Sequence, residues 1–191
     1  MDWLRELGDP VLVLTAGTGG RVARGTALSA AAYGINYEIR FGDGAGSGDV
    51  LAPHTAGMLV AASLLDGHPA EAVQVDDAAV VGEQIAALDP TAVLICGGGS
   101  ARRRDGAPGY LDLRAVPYDD RLAELIGIPD LAALAAPDLL LADALLSDLA
   151  RPLAVGARLA GGWAHRPRAE LDSYCAPHGV ADIIARWWTD A

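Results

Sequence analysis

Two uninterrupted apolar runs stand out in the chain, and each ends in a glycine-rich turn. Val11–Thr15 reads VLVLT before AGTGG, and Ala92–Cys96 reads AVLIC before three glycines. A run without polar alternation is typical of a strand that is covered on both faces. Both runs therefore predict strands inside a sheet. Ala72–Val75 predicts a further short strand, whereas the alternating segment Ile35–Phe41 predicts an edge strand.

Apolar residues at helical spacing predict most of the remaining regular structure. The predicted helices cover residues 2–8, His54–Leu65, Asp76–Leu88, Tyr118–Gly127, Pro129–Leu134, Pro137–Leu149 and Pro152–Gly161. Three of them begin at proline, which is favoured in the first helical turn. Ala169–Tyr174 and Asp182–Trp188 predict two C-terminal strands, and an antiparallel orientation to the other strands is open for this pair.

Strands that alternate with helices predict one α/β domain over residues 1–191, with a largely parallel sheet and helices on both faces. The 191 residues carry a formal charge of −11, which argues against a nucleic-acid partner because an acidic surface repels phosphate. The apolar runs are too short to cross a membrane or to form a signal peptide. These features predict a cytoplasmic globular protein.

The predicted strands end in glycine-rich segments, and ligands of open α/β sheets bind beyond the carboxyl ends of strands. These ends are Ala16–Gly20, Gly42–Gly48 and Gly97–Arg104. Glycine lets a backbone approach a ligand closely, but it also serves simply to turn the chain. The two interpretations are both open for Gly97–Arg104, and a simple turn is favoured at the other two ends.

The long loop that follows the second apolar run carries a candidate anion site. Its glycines would present backbone N–H groups, Ser100 a hydroxyl, and Arg102 or Arg103 a planar guanidinium for a carboxylate or phosphate. The competing interpretation is that these arginines pair with acidic side chains of the chain itself. Asp112 and Asp119 are the nearest candidates for that structural pairing.

Two histidines are secondary candidates for the same crevice. His54 opens a predicted helix directly after the glycine-rich loop, and His178 lies in a Pro–His–Gly turn. A metal site made of these two and of Asp43 or Asp49 is conceivable. A turn histidine that binds nothing is the simpler interpretation of each.

Two segments of the sequence carry a resemblance to a known family. Residues 97–119 read GGGSARRRDGAPGYLDLRAVPYD, and residues 170–188 read ELDSYCAPHGVADIIARWW. Both resemble segments of actinobacterial proteins related to the catalytic subunit of class III extradiol ring-cleavage dioxygenases. The resemblance extends from about residue 10 to residue 188 and implies a three-layer α/β/α fold with a mostly parallel mixed sheet.

The resemblance also implies where catalytic residues would lie. Enzymes of that superfamily hold Fe(II) with two histidines and a glutamate, and use a further histidine as acid and base. The resemblance implies that the first metal histidine belongs to a βα unit that this chain lacks. The other three positions fall at Ala16–Thr18, Ser100–Ala101 and Arg151–Pro152, and none holds the family's residue.

The sequence thus leads to two hypotheses. The first is a divergent, metal-free member of the superfamily, with no cofactor, that binds a small anionic or aromatic molecule or serves as a non-catalytic subunit. Ser100, Arg102, Arg103, His54 and His178 are its predicted ligand-binding residues. The second is an active Fe(II) dioxygenase or hydrolase that is completed by a missing N-terminal segment or a partner chain. A sheet without that unit would expose edges, which predicts a homodimer or a hetero-complex.

Overall fold

Two compact units make up the chain, Met1–Cys96 and Gly97–Ala191. The computed structural model describes residues 10–18, 20–43, 55–76, 85, 88 and 90–189. The elements of the first unit are β1 Val11–Ala16, β2 Gly20–Val22, β3 Ala27–Ser29, β4 Glu38–Arg40, α1 Ala56–Leu65, β5 Ala70–Val75 and β6 Ala92–Cys96. The elements of the second unit are α2 Ala115–Gly127, α3 Leu131–Ala135, α4 Leu139–Ala144, α5 Ala150–Gly161, β7 Arg168–Cys175 and β8 Asp182–Trp188.

A four-stranded mixed sheet forms the centre of the first unit, in the order β2-β5-β1-β6. β1 pairs in parallel with β5 and with β6, so that Val11 lies opposite both Ala70 and Ala92. β2 runs antiparallel to β5. The side chains of the first five residues of β1 are buried, which confirms the predicted central strand.

The second apolar run occupies a different position from the predicted one. β6 has the predicted bounds, but it lies at the edge of the described sheet, and its first four residues are only half-buried. The expectation of an inner strand covered on both faces is wrong here, because β1 is its one neighbouring strand in the described sheet and its first four residues stay partly exposed. An apolar composition alone does not distinguish an inner strand from an edge strand.

The core of the first unit consists of buried side chains from the four-stranded sheet, from α1 and from the segment around β3 and β4. Leu28, Phe41 and Met58 are fully buried in it. Phe41 follows β4, which pairs with β3 in a separate two-stranded sheet. The predicted strand Ile35–Phe41 is therefore shorter than expected and is not an edge of the main sheet. β2 and β3 have only three residues each, too few for a recognisable apolar pattern.

Some sequence-based predictions lie outside the described residues. The predicted helix over residues 2–8 is one of them, and most of the predicted helix Asp76–Leu88 is another. Histidine 54 also belongs to this group, although the helix that it was expected to open is described from Ala56.

Aspartates, rather than prolines, begin the two short helices of the second unit. Asp130 accepts a hydrogen bond from the N–H of Ala133, and Asp138 accepts one from the N–H of Leu141. The prolines before these caps were predicted as first helical residues. That prediction is wrong because the aspartate satisfies the otherwise unpaired N–H groups of the first turn.

The two C-terminal strands pair with each other rather than with the sheet of the first unit. β7 and β8 are antiparallel, with a register shift between Leu171 and Ser173. One face of this hairpin packs on α2, where the indole N–H of Trp187 donates to the carbonyl of Ile126 at 2.8 Å. The protein is thus mixed α/β. No helix within the described residues is long and apolar enough to span a membrane.

Candidate functional site

The glycine-rich segment after β6 is held in place by its own backbone N–H groups. The N–H of Gly98 donates to the Asp148 carboxylate, and that of Gly99 donates to the carbonyl of Ala181 at 3.0 Å. The N–H of Ser100 donates to Asp119 Oδ1 at 2.8 Å. Two carboxylates of the chain therefore occupy the positions that an external anion would take.

A polar cluster extends from the buried residues Ser100 and Asp119 to partly or fully exposed groups, and we call it the Ser100 cluster: Ser100, Arg103, Asp119, Asp120 and Tyr174. Ser100 Oγ donates to Asp119 Oδ2 at 2.5 Å, and the guanidinium of Arg103 donates to the same oxygen at 3.2 Å. Asp119 has no exposed surface. Burial raises the pKa of the Asp119 carboxyl, and the hydrogen bonds from Ser100 and the charge of Arg103 offset this rise only in part.

Tyr174 joins the cluster to the C-terminal hairpin. Its hydroxyl accepts a hydrogen bond from Arg103 at 2.7 Å and donates one to Asp120 at 2.5 Å. The guanidinium carbon of Arg103 also lies 5.3 Å from the centre of the tyrosine ring. The arginine is thereby fixed from two sides, which makes it a structural link between the loop, α2 and β7.

The structure brings only some of the predicted ligand-binding residues together. Ser100 and Arg103 meet at Asp119, as the structural-pairing interpretation expects. Arg102 is half-buried, and its Nε has no hydrogen-bond partner among the described residues. His178 is exposed in the turn between β7 and β8. Whether any of these residues binds a ligand stays a prediction.

The described part of the chain contains no group of three or more His, Cys, Asp or Glu side chains that could hold a metal ion.

A cavity of about 580 Å³ lies among the helices of the second unit, and we call it the helical pocket. Its buried lining includes Leu122, Leu134 and Leu153, which come from α2, α3 and α5. Leu113 also lines it and is 84% exposed, so an apolar side chain stands uncovered at the mouth. The volume and the apolar lining are those of a small-molecule site, typically about 300–1,000 Å³.

Polar side chains are few in the helical pocket. Tyr118 lines it and donates its hydroxyl to Ser147 Oγ at 3.3 Å, and burial raises the pKa of this tyrosine. Arg114 is already held by both oxygens of Asp112, which lowers the pKa of that carboxyl to about 2. Among the described residues, Arg121 is paired with Glu124 alone, in an exposed contact of 2.6 Å.

A second, more polar cavity of about 600 Å³ adjoins the same helix, and we call it the polar cleft. Arg121 and Leu125 line both the helical pocket and the polar cleft. Arg166 lines only the cleft, where its guanidinium donates to the carbonyl of Pro129 at 3.2 Å. The two cavities are thus adjacent along one turn of α2.

Sequence reasoning missed the helical pocket because apolar helical residues were assigned to the core. One signal was present: Pro–Asp–Leu occurs at 129–131 and again at 137–139. Each repeat begins a helix of only five or six residues. Such short helices leave space between their neighbours that a longer helix would fill.

Comparisons with known proteins add no relative to this picture. No family model matches the chain, and no curated protein matches it.

Proposed function

We propose that the chain is a divergent, metal-free protein of the extradiol dioxygenase type that binds a small aromatic or apolar molecule in the helical pocket. The family part of this proposal is supported by the sequence resemblance of residues 97–119 and 170–188. The metal-free part is supported by the absence of the family's residues at Ala16–Thr18, Ser100–Ala101 and Arg151–Pro152.

The proposed binding role is supported mainly by the apolar residues that line the helical pocket. Its floor is buried leucine, and Leu113 at its mouth leaves most of its side chain in water. Covering that side chain with an apolar ligand would be favourable by the hydrophobic effect, at about 25 cal/mol for each Å² removed from water. The Ser100 cluster then serves as the rigid support of the segment that leads to α2.

The test is binding of a neutral aromatic probe, hydrocinnamyl alcohol, followed by saturation-transfer NMR. Ala133→Phe places a large side chain on the pocket lining, whereas Ala132→Phe adds the same side chain at the exposed neighbouring position of α3. We expect the first variant to lose probe binding and the second to keep it, with both folded by circular dichroism. Equal binding by both variants, or no binding by the unmodified chain, would refute the pocket.

A second candidate function rests on β6. This strand is apolar and half-exposed at the edge of the described sheet, where its outer hydrogen-bonding groups favour pairing with another chain. A second copy or a different subunit would then complete an Fe(II) dioxygenase or hydrolase. Stoichiometric iron in the purified protein, together with a dimer or hetero-complex by light scattering, would support this candidate over the first.

A further inference from the structure

We propose that Arg121 selects the ligand of the helical pocket, and that the ligand class is an amphipathic carboxylate with an apolar body and an ionised end. This inference rests on the proposed binding function. The apolar body would occupy the helical pocket, and the carboxylate would reach the guanidinium at the boundary with the polar cleft.

The position of Arg121 is the first support. Arg121 and Leu125 are one helical turn apart on α2, and both line the two cavities. A molecule that fills the apolar cavity and extends past Leu125 must therefore pass Arg121. The adjacent cleft is also lined by Arg166, whereas its Glu124 and Asp130 repel an anion, so the arginines are the groups in the cleft that attract an ionised carboxylate.

The availability of Arg121 is the second support. Arg114, the other arginine of the helical pocket, is held by two hydrogen bonds of 3.0 and 2.7 Å to Asp112. Within the part of the chain that the structure describes, the one ion pair of Arg121 is with Glu124, and the side chains of both partners are more than half exposed. An exposed ion pair of this kind contributes little to stability, so a ligand carboxylate can replace Glu124 at low cost. Arg166 in the polar cleft supplies a second positive charge nearby.

Two probes that differ only in the end group test the selection. Hydrocinnamate carries a carboxylate, and hydrocinnamyl alcohol carries a hydroxyl on the same apolar body. We expect the unmodified chain to prefer the carboxylate by about three- to fivefold in Kd, the size of an exposed ion pair. Arg121→Gln should remove this preference, so that the ratio of the two Kd values approaches one.

Glu124→Gln provides the opposite change. It removes the side chain that competes for Arg121, so it should widen the preference for hydrocinnamate over the alcohol. Arg168→Gln, on β7 outside both cavities, removes the same charge elsewhere and should change neither Kd. Equal Kd values for the two probes in all variants would overturn the role of Arg121 while leaving the pocket intact. Failure of both probes to bind would overturn the proposed function itself.

Discussion

Ser100 satisfies both oxygens of the Asp119 carboxylate. Its backbone N–H donates to Oδ1 at 2.8 Å, and its hydroxyl donates to Oδ2 at 2.5 Å. Both residues are fully buried. Since Asp119 lies on α2, this pair fastens the glycine-rich segment to the helix that lines the proposed pocket. Ser100 is therefore a structural residue, and its replacement should change the stability of the folded protein by a measurable amount.

Ser100→Ala should destabilise the protein by about 1–3 kcal/mol, because it leaves Asp119 Oδ2 buried with only the Arg103 hydrogen bond. Ser63→Ala is the matched control. Ser63 is exposed on α1 and donates to the carbonyl of Leu59 within its own helix, so its removal should change stability by less than about 0.5 kcal/mol. Chemical denaturation of both variants measures the difference, and equal stabilities would show that the Ser100–Asp119 pair contributes nothing.

Asp119 should give the protein a measurable pH dependence. Burial raises the pKa of its carboxyl in the folded protein above the unfolded value, so the folded state favours the protonated form. The stabilising contribution is then fully present below the unfolded pKa, about 3.9, and is lost as the pH rises through the folded pKa. Asp119→Asn does not titrate, so the stability of the unmodified chain relative to this variant should fall as the pH rises above the unfolded pKa of about 3.9.

Thermal melts of the two proteins across this pH range check the sign of the effect. If the relative stability of the unmodified chain rises with pH instead, then the carboxylate form is preferred in the folded protein. The hydrogen bonds from Ser100 and Arg103 would in that case outweigh the cost of burial, and the pKa of Asp119 would lie below its ordinary value.

Gly97 should tolerate no side chain. A Cβ at this position would lie 2.8 Å from the Cα and 3.0 Å from the backbone nitrogen of Leu149, just before α5, and backbone atoms cannot swing aside. Gly97→Ala should therefore cost roughly 1–3 kcal/mol or more. Gly161→Ala is the control: nothing lies within 4 Å of its Cβ, and it ends α5, so it should be neutral or slightly stabilising. Equal melting temperatures for the two variants would contradict this close contact.

The apolar pattern predicted the position of a strand in the sheet correctly where the strand has a neighbouring strand on each side. Val11–Thr15 has a strand on both sides, and its continuous apolar pattern correctly predicted a central strand. β6 has the same pattern with one neighbour, so its edge position was not predictable from composition. The predicted helix starts at Pro129 and Pro137 were wrong for a local reason. Asp130 and Asp138, the residues that follow these prolines, accept hydrogen bonds from N–H groups of the first turn and so form the N-caps.

The candidate site was predictable only where its chemistry is local in sequence. The pairing of Arg103 with Asp119 was among the alternatives, since the two residues are sixteen positions apart on either side of one loop. Tyr174 is seventy-one positions from Arg103, and no sequence pattern connected them. The helical pocket depends on the spacing of four helices, which apolar periodicity does not encode.

The buried side chain of Gln74 allows a stability prediction to be tested in the first unit. It lies near the end of β5, its side chain is 2% exposed, and neither its amide oxygen nor its amide nitrogen has a hydrogen-bond partner among the described residues. A buried polar group without a partner costs about 1–3 kcal/mol. Gln74→Met keeps an unbranched chain of similar size, which tolerates the close approach of Gly17.

We therefore expect Gln74→Met to raise the melting temperature and to stabilise the fold by about 1 kcal/mol or more, since the amide desolvation is removed. Gln74→Glu keeps the shape but adds a carboxyl to the same buried position, so it should lower the melting temperature. Calorimetric melts of both variants at one pH compare them directly. A lower melting temperature for Gln74→Met would mean that the amide is bonded in the folded protein. Its partner would then be a group that the described residues do not include, and the amide would stabilise the fold instead of destabilising it.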